Sequence, residues 1–214
     1  MILPPPPDRR SFVTSLATAS ALAWSGLWSS AAVAQSGRSG RNLPAEQFVQ
    51  VEGQNMFSVL SDRSLGDAAK QAAFRRLIDR VADLQRISGF VLGKYARAIS
   101  PAQRQQFNTV FRTYVQGLYQ TYLANFRGDQ LRVTGSTARS PTDTIVNTVI
   151  DGAADGRALP VAWRVLGSPG SFKVVDVQAS GVWLAITLQQ DFVSTIDNAR
   201  GDIGVLIARL QSGD

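Results

Sequence analysis

The chain has 214 residues, of which 44% are hydrophobic and 18% charged, with a formal net charge of +6. This length and hydrophobic content suit one domain with a substantial core. There is no cysteine and no histidine, which excludes disulfides and thiolate chemistry and removes the commonest general base and transition-metal ligand.

Residues 1–34 differ in composition from the rest of the chain, and their pattern predicts an export signal. Arg9 and Arg10 precede an apolar run rich in alanine and serine, which ends in the small-residue sequence AVA at residues 32–34. The paired arginines resemble a twin-arginine signal. A general secretory signal that contains two arginines by chance is the alternative.

Residues 35–43 are rich in glycine, serine and arginine and predict a flexible spacer. Residues 44–214 then form a single domain. Its first half carries apolar residues at three- and four-residue spacing, which is typical of amphipathic helices. The predicted helices cover residues 44–60, 66–82, 83–99 and 101–126.

The fourth of these helices has a well-specified start. Ser100 and Gln103 form an S-x-x-Q capping box around Pro101, a residue that suits the first helical position. Gly128 is placed to end the helix. Between them runs an aromatic and apolar face, which as a general rule is packed core and only less often the wall of a ligand site.

After residue 128 the pattern changes to short runs rich in β-branched residues, separated by glycine, proline and aspartate. The predicted strands cover residues 130–137, 142–150, 159–166 and 171–179, and residues 182–210 begin extended and become helical. The sequence therefore predicts an α+β fold, with a helical N-terminal half, a curved antiparallel sheet of about four strands and C-terminal helices.

Strand alternation assigns faces within the predicted sheet. Val161 and Trp163 share one face of the third strand, and Ile145 and Val149 share one face of the second, and we expect both faces to point inward. The fourth strand has apolar residues on both faces. There we favour Val175 and Val177 as the inward pair.

No recognisable catalytic or nucleotide-binding motif is present. The sequence lacks a nucleophile elbow and a phosphate-binding loop, and its dispersed arginines do not indicate a nucleic-acid-binding protein. Asp176 stands out in an apolar strand. It is either an acid/base group or a hydrogen-bonded structural aspartate, and structural aspartates are the commoner of the two.

Two blocks of sequence resemble the MlaC, or toluene-tolerance, family of periplasmic phospholipid-binding proteins. The first block contains LGKY, SPAQR, FNTVFRTY and FRGD between residues 92 and 129. The second contains FKVVDV, then GV, and ends in LIARL between residues 172 and 210. The family often has serine after the GV pair, where this chain has Trp183, which leaves the ligand subtype open.

This resemblance implies a non-catalytic lipid carrier with an apolar cavity between the sheet and the helices, as in NTF2-like containers. No cofactor is implied, since phospholipid is the cargo. The implied walls are the apolar residues of the helix face, the inward strand faces and the start of the last segment: Val91, Tyr95, Phe107, Phe111, Tyr114, Leu118, Ile145, Val149, Val161, Trp163, Val182 and Leu184. Each of them equally suits closed core.

The same resemblance implies two protein partners, an outer-membrane lipoprotein complex and an inner-membrane ABC transporter complex, between which lipid is shuttled. A hopanoid-associated branch of the family would keep this mechanism with a rigid polycyclic cargo. A different small-ligand-binding protein or enzyme built on an NTF2-like container is the remaining alternative.

Overall fold

The computed structural model describes residues 40–62, 64–124, 130–151 and 158–212, excluding the side chains of residues 118–124. The predicted export signal, most of the spacer and the predicted helix end at Gly128 lie outside the described residues. The side chain of Leu118 does so as well.

The fold is α+β, as predicted, with helices before and after one antiparallel sheet. Every predicted helix and strand is present within a few residues of its predicted bounds. The third predicted helix is divided into an α-helix and a 3₁₀ helix, because Gly93 takes a left-handed conformation with φ of 52°. The elements are α1 Leu43–Ser61, α2 Asp67–Val81, α3 Leu84–Val91, the 3₁₀ helix Gly93–Arg97, α4 Pro101–Ala124, β1 Gln130–Ser140, β2 Asp143–Asp151, β3 Leu159–Leu166, β4 Lys173–Ala179, β5 Val182–Trp183, α5 Leu184–Asn198 and α6 Ile203–Ser212.

The capping box at the start of α4 is confirmed. The backbone amide of Gln103 donates to Ser100 Oγ at 3.2 Å, and the Gln103 side-chain oxygen accepts from the Ser100 amide at 2.9 Å. Two amides that the helix itself cannot satisfy are thereby paired.

Replacing both Ser100 and Gln103 by alanine is expected to lower the free energy of unfolding by about 1–2 kcal/mol. Chemical denaturation of the double variant beside the wild type measures this difference. Since the box lies on the surface, lipid occupancy of the folded protein should not change. An unchanged denaturation midpoint would contradict a stabilising role for the box.

The sheet is a meander in the order β1-β2-β3-β4-β5, with every neighbouring pair antiparallel. It has five strands rather than about four, because Val182 and Trp183 pair with Ala179 and Gln178 as a two-residue edge strand. Ser180 and Gly181, with φ of 50° and 82°, form the tight turn between β4 and β5.

Helix α1 packs on the sheet at β1 and is tied to it by side chains from its first turns. Gln50 extends across to β1, where its amide nitrogen donates to the Leu131 carbonyl at 2.8 Å and its oxygen accepts from the Val133 amide at 3.2 Å. One turn later Gly53 lies so close to Leu131 that an added Cβ would come within 2.8 Å of its side chain. Helix and strand are therefore in direct contact.

Among the described residues, the buried apolar side chains form two clusters. The helical core joins α3, α4, α5 and α6, and the sheet core joins α1 to one face of the sheet. Nearly all predicted wall residues of the helices belong to the helical core, and those of β3 belong to the sheet core. The predicted walls are therefore divided between two separate clusters.

Candidate functional site

The inner face of the sheet is the face that α1 covers, and on β2 it is not the face predicted from the sequence. Residues directly opposite each other in an antiparallel pair share a face, and Val146 lies opposite Trp163 while Thr148 lies opposite Val161. The prediction that Val161 and Trp163 point inward is thus confirmed. That for Ile145 and Val149 is wrong, since both lie half-buried on the outer face.

The β2 assignment failed because two threonines occupy inward positions. Thr148 is buried and its hydroxyl donates to the Val161 carbonyl at 2.9 Å, while also accepting from Trp163 Nε1 at 2.9 Å. Thr144 is buried and accepts from the Asn42 side chain at 2.9 Å. With their hydroxyls satisfied, these residues are accommodated next to apolar neighbours.

The inner face of β4 was ambiguous in the sequence because a β-bulge breaks its alternation. Asp176 lies opposite Arg164, and Val174 lies opposite Val165, so that Val175 is an extra residue between them. Val174 and Val177 consequently both belong to the sheet core. The expectation for Val177 is confirmed, and that for Val175 is wrong as an inward sheet position.

The sheet core is only partly covered. Its floor is formed by buried residues of the inner face, including Val146 and Val161, and Phe48 of α1 packs against Phe172 with ring centroids 5.7 Å apart. Around this floor lies a rim of large hydrophobic side chains that are only half-buried: Phe48, Met56, Val81, Val133, Leu159 and Trp163. We call this region the sheet cleft. Of the rim, only Trp163 was among the predicted wall residues.

The sequence pattern of the other rim residues is also compatible with a buried face. Phe48 and Met56 recur at helical spacing on α1, and Val133 and Leu159 stand at strand positions. What the sequence lacked was the information that α1, rather than the aromatic helix α4, covers the inner face of the sheet.

The aromatic face of α4 lies in the helical core. Phe107 and Phe111 are fully buried and stack on each other at 5.5 Å, and both meet Phe192 of α5 edge-on at about 6 Å. Tyr114 contacts the same ring at 6.0 Å. Phe192 is thus the centre of this aromatic cluster, a role that the sequence did not single out. Val91 and Tyr95 pack in the same core.

Val182 and Leu184, predicted as walls, are instead 50% and 39% exposed. Val182 belongs to the short edge strand β5 and Leu184 to the first turn of α5, so neither is covered by another layer in the described part of the chain. The structure thus describes both as exposed, and their contact with a ligand stays a prediction.

Asp176 has a structural role on the outer face of β4, away from the sheet cleft. Its Oδ1 accepts from its neighbour Val177 at 2.8 Å and from the Ala185 amide in the first turn of α5 at 2.9 Å. The carboxyl therefore caps a helix that has no capping side chain of its own. Burial raises the pKa of Asp176 above its ordinary value, although these hydrogen bonds and Arg164 favour the charged form.

Because the pKa of Asp176 is raised in the folded state, its contribution to stability is fully present at a pH below its pKa in the unfolded chain. That contribution is lost as pH rises through the pKa of the folded state. We expect Asp176→Asn, which keeps the acceptor without the charge, to be at least as stable as the wild type at pH 7, and to lose that advantage near pH 3. Asp176→Ala removes the cap, and its free energy of unfolding should be about 1–2 kcal/mol lower than that of the wild type at both pH values. Urea denaturation at the two pH values measures this, and a marked loss of stability in Asp176→Asn at pH 7 would contradict it.

In the part of the chain that the structure describes, no group of acidic, cysteine or histidine side chains could hold a metal ion. In the same residues no helix has the length and hydrophobicity that crossing a bilayer requires.

Two surface depressions are also present, of about 480 and 440 Å³. The first lies at the start of α4 and the second before α1. Neither is lined by a residue that was predicted as a cavity wall, so the sheet cleft remains the candidate site.

Ligand sites are lined mostly by hydrophobic and aromatic side chains, as the sheet cleft is. Comparison with known families defines the class further. The family profile described as "MlaC protein" matches residues 51–212. The chain belongs to the MlaC family, as the two sequence blocks predicted.

A solved structure supports the same assignment. The phospholipid-binding protein from Ralstonia solanacearum, solved in complex with a phospholipid, is similar to this chain with a TM-score of 0.67 and 25% sequence identity. The match covers 79% of this chain and 96% of the other.

Proposed function

We propose that the protein is a periplasmic lipid carrier that holds acyl chains in the sheet cleft. The observation that carries this proposal is the half-buried apolar rim over the sheet core, in a chain whose family is periplasmic and whose structural relative was solved with a phospholipid. Binding and release of lipid break no covalent bond, so the function requires no catalytic group.

The physical need for a container is large. An acyl chain of about 16 carbons exposed to water costs more than about 10 kcal/mol, at about 0.8 kcal/mol per methylene. The sheet cleft offers apolar side chains on its rim from α1, such as Phe48 and Met56, and from the strands, such as Trp163. Its buried threonine hydroxyls are already hydrogen-bonded, so they present no unsatisfied polar atom to a hydrocarbon chain.

The proposed route of the lipid follows from the family resemblance. We propose that the carrier exchanges lipid with an outer-membrane lipoprotein complex on one side and an inner-membrane ABC transporter complex on the other. The direction of transfer is a property of those complexes, because the carrier itself has no energy source.

Mass spectrometry of lipids extracted from the purified protein tests the proposal. We expect diacyl phospholipid in stoichiometric amount. A polycyclic hopanoid in its place would assign the cargo to the hopanoid-associated branch while keeping the carrier function. Protein that carries no lipid and takes up neither labelled phospholipid nor hopanoid from vesicles would overturn it, in favour of a small-ligand container.

Export is proposed to depend on the paired arginines, with cleavage after Ala34. Replacing Arg9 and Arg10 by lysine should leave uncleaved precursor inside the cell, because lysine does not substitute in a twin-arginine signal. Fractionation and immunoblotting detect the precursor. Normal export of the variant would assign the general secretory route instead.

A further inference from the structure

Two chain connections meet at one end of the helical core. The Tyr95 hydroxyl donates to Asp197 Oδ1, and Lys94 Nζ lies 2.7 Å from the same oxygen. Gly201 lies against the Tyr95 ring, since a Cβ there would be 3.9 Å from its edge. The 3₁₀ helix and the turn at residues 199–202 are thereby joined, and α4 and α6 both begin beside them.

Of the described residues, four cationic side chains belong to this end: Lys94, Arg97, Arg104 and Arg200. We call it the basic end. Lys94, Arg97 and Arg200 are exposed, and Arg104 lines the depression of about 480 Å³ at the start of α4.

Most arginines elsewhere in the described residues are paired with a carboxylate, but none of the three arginines of the basic end is. Of the described residues, the two aspartates of this turn region, Asp197 and Asp202, are already engaged. Asp197 binds Lys94 and Tyr95, and Asp202 accepts from the Gly204 amide at 2.8 Å at the start of α6. The arginines are therefore available to an external anion.

The backbone that carries Arg200 is a well-defined turn. Arg200 has a left-handed backbone with φ of 55°, and its turn is closed by hydrogen bonds from its amide to the Asp197 carbonyl and from Gly201 to the Ile196 carbonyl. Val205, 47% exposed, follows in the first turn of α6. Exposed cations spread over two connections, with an apolar side chain beside them, match an extended anionic surface better than one small anion.

We propose that the basic end docks the protein on the surface of an anionic phospholipid bilayer. This inference rests on the proposed carrier function, because it assigns the surface that meets a membrane to a part of the molecule separate from the sheet cleft. The arginines would bind lipid phosphates, and Arg104 with its depression would accept one headgroup.

The test is a comparison of two charge-matched variants, each purified from the periplasm. Arg97→Gln with Arg200→Gln removes two cations from the basic end. Arg75→Gln with Arg76→Gln removes two exposed arginines of α2 that also have no ion pair in the described residues. Both variants have the same net charge. Binding is measured by cosedimentation with vesicles of phosphatidylcholine containing 30% phosphatidylglycerol, at low and at physiological salt.

We expect the basic-end variant to bind these vesicles about 25-fold more weakly than the wild type, because each cation near an anionic surface contributes about fivefold to binding. The α2 variant should bind less than about twofold more weakly than the wild type. Equal losses in the two variants would overturn the proposal, because binding would follow net charge. Wild-type binding no stronger than to pure phosphatidylcholine would overturn it as well.

Bound lipid, measured on the same samples by native mass spectrometry, distinguishes failure of this inference from failure of the carrier function. If the carrier function holds, all three proteins should contain lipid, whatever the vesicle result. Lipid-free wild-type protein would instead count against the carrier itself.

Discussion

Replacing Trp163 by glutamate is expected to remove most of the bound lipid while leaving the protein folded. Trp163 is half-buried on the rim of the sheet cleft, and its ring stands over the inner face between β2 and β4. A carboxylate at this position would lie among the apolar side chains of the sheet core and face hydrocarbon, which is strongly unfavourable. We expect lipid occupancy to fall at least about tenfold, as measured by native mass spectrometry with circular dichroism as the check on folding.

The chain offers a matched control on the same sheet. Ile145 is half-buried on the outer face of β2, one strand away, and lies opposite Arg164. Ile145→Glu should therefore keep its lipid. Trp163→Leu, which preserves the apolar character of the rim, should keep most of it too. Lipid loss in Ile145→Glu, or full occupancy in Trp163→Glu, would show that the acyl chains lie elsewhere.

Phe111→Ala is expected to lower the free energy of unfolding by about 3–5 kcal/mol, the range for large cavities in cores. Phe111 is fully buried and contacts the rings of Phe107 and Phe192. Removing its ring deletes both contacts and leaves a void that the neighbouring helices can fill only in part. Urea denaturation measures the loss.

Phe90→Ala is the control for this change, because Phe90 is 42% exposed on α3. It should alter stability by less than about 1 kcal/mol. The two variants also test the role of the α4 aromatic face. If Phe111 were a wall of the lipid site rather than core, its replacement would lower lipid occupancy with little effect on the denaturation midpoint.

The helices and strands could be predicted closely because their signals are local. Ser100, Pro101 and Gln103 specify the start of α4 through contacts that span only three residues. Glycine and proline between the β-branched runs likewise determine where strands stop. These features depend on neighbouring residues, so a single sequence contains the information.

The candidate site could be predicted only in part, because it depends on which elements pack together. The apolar faces of α1 and α4 look equally suitable as a wall, and Phe192, which binds α4 into the helical core, is 81 positions after Phe111 in the chain. On β2, the sequence TIVNTVI presents apolar or β-branched side chains on both faces. Alternation could not decide between them, because the inner face is set by the packing of α1, and the hydrogen bonds of Thr144 and Thr148 allow these polar residues to lie on it.

The contact between Gln50 and β1 has a consequence for the protein in a crowded compartment. As the first strand of an open sheet, β1 would otherwise offer unpaired backbone groups to a strand from a second molecule, the usual start of edge-to-edge aggregation. The side-chain amide of Gln50 occupies the Leu131 carbonyl and the Val133 amide, and the Gly40 carbonyl occupies the Ala138 amide at 3.3 Å. Intermolecular strand pairing would have to displace these contacts, so the edge of β1 is less open to a second strand than its position in the sheet suggests.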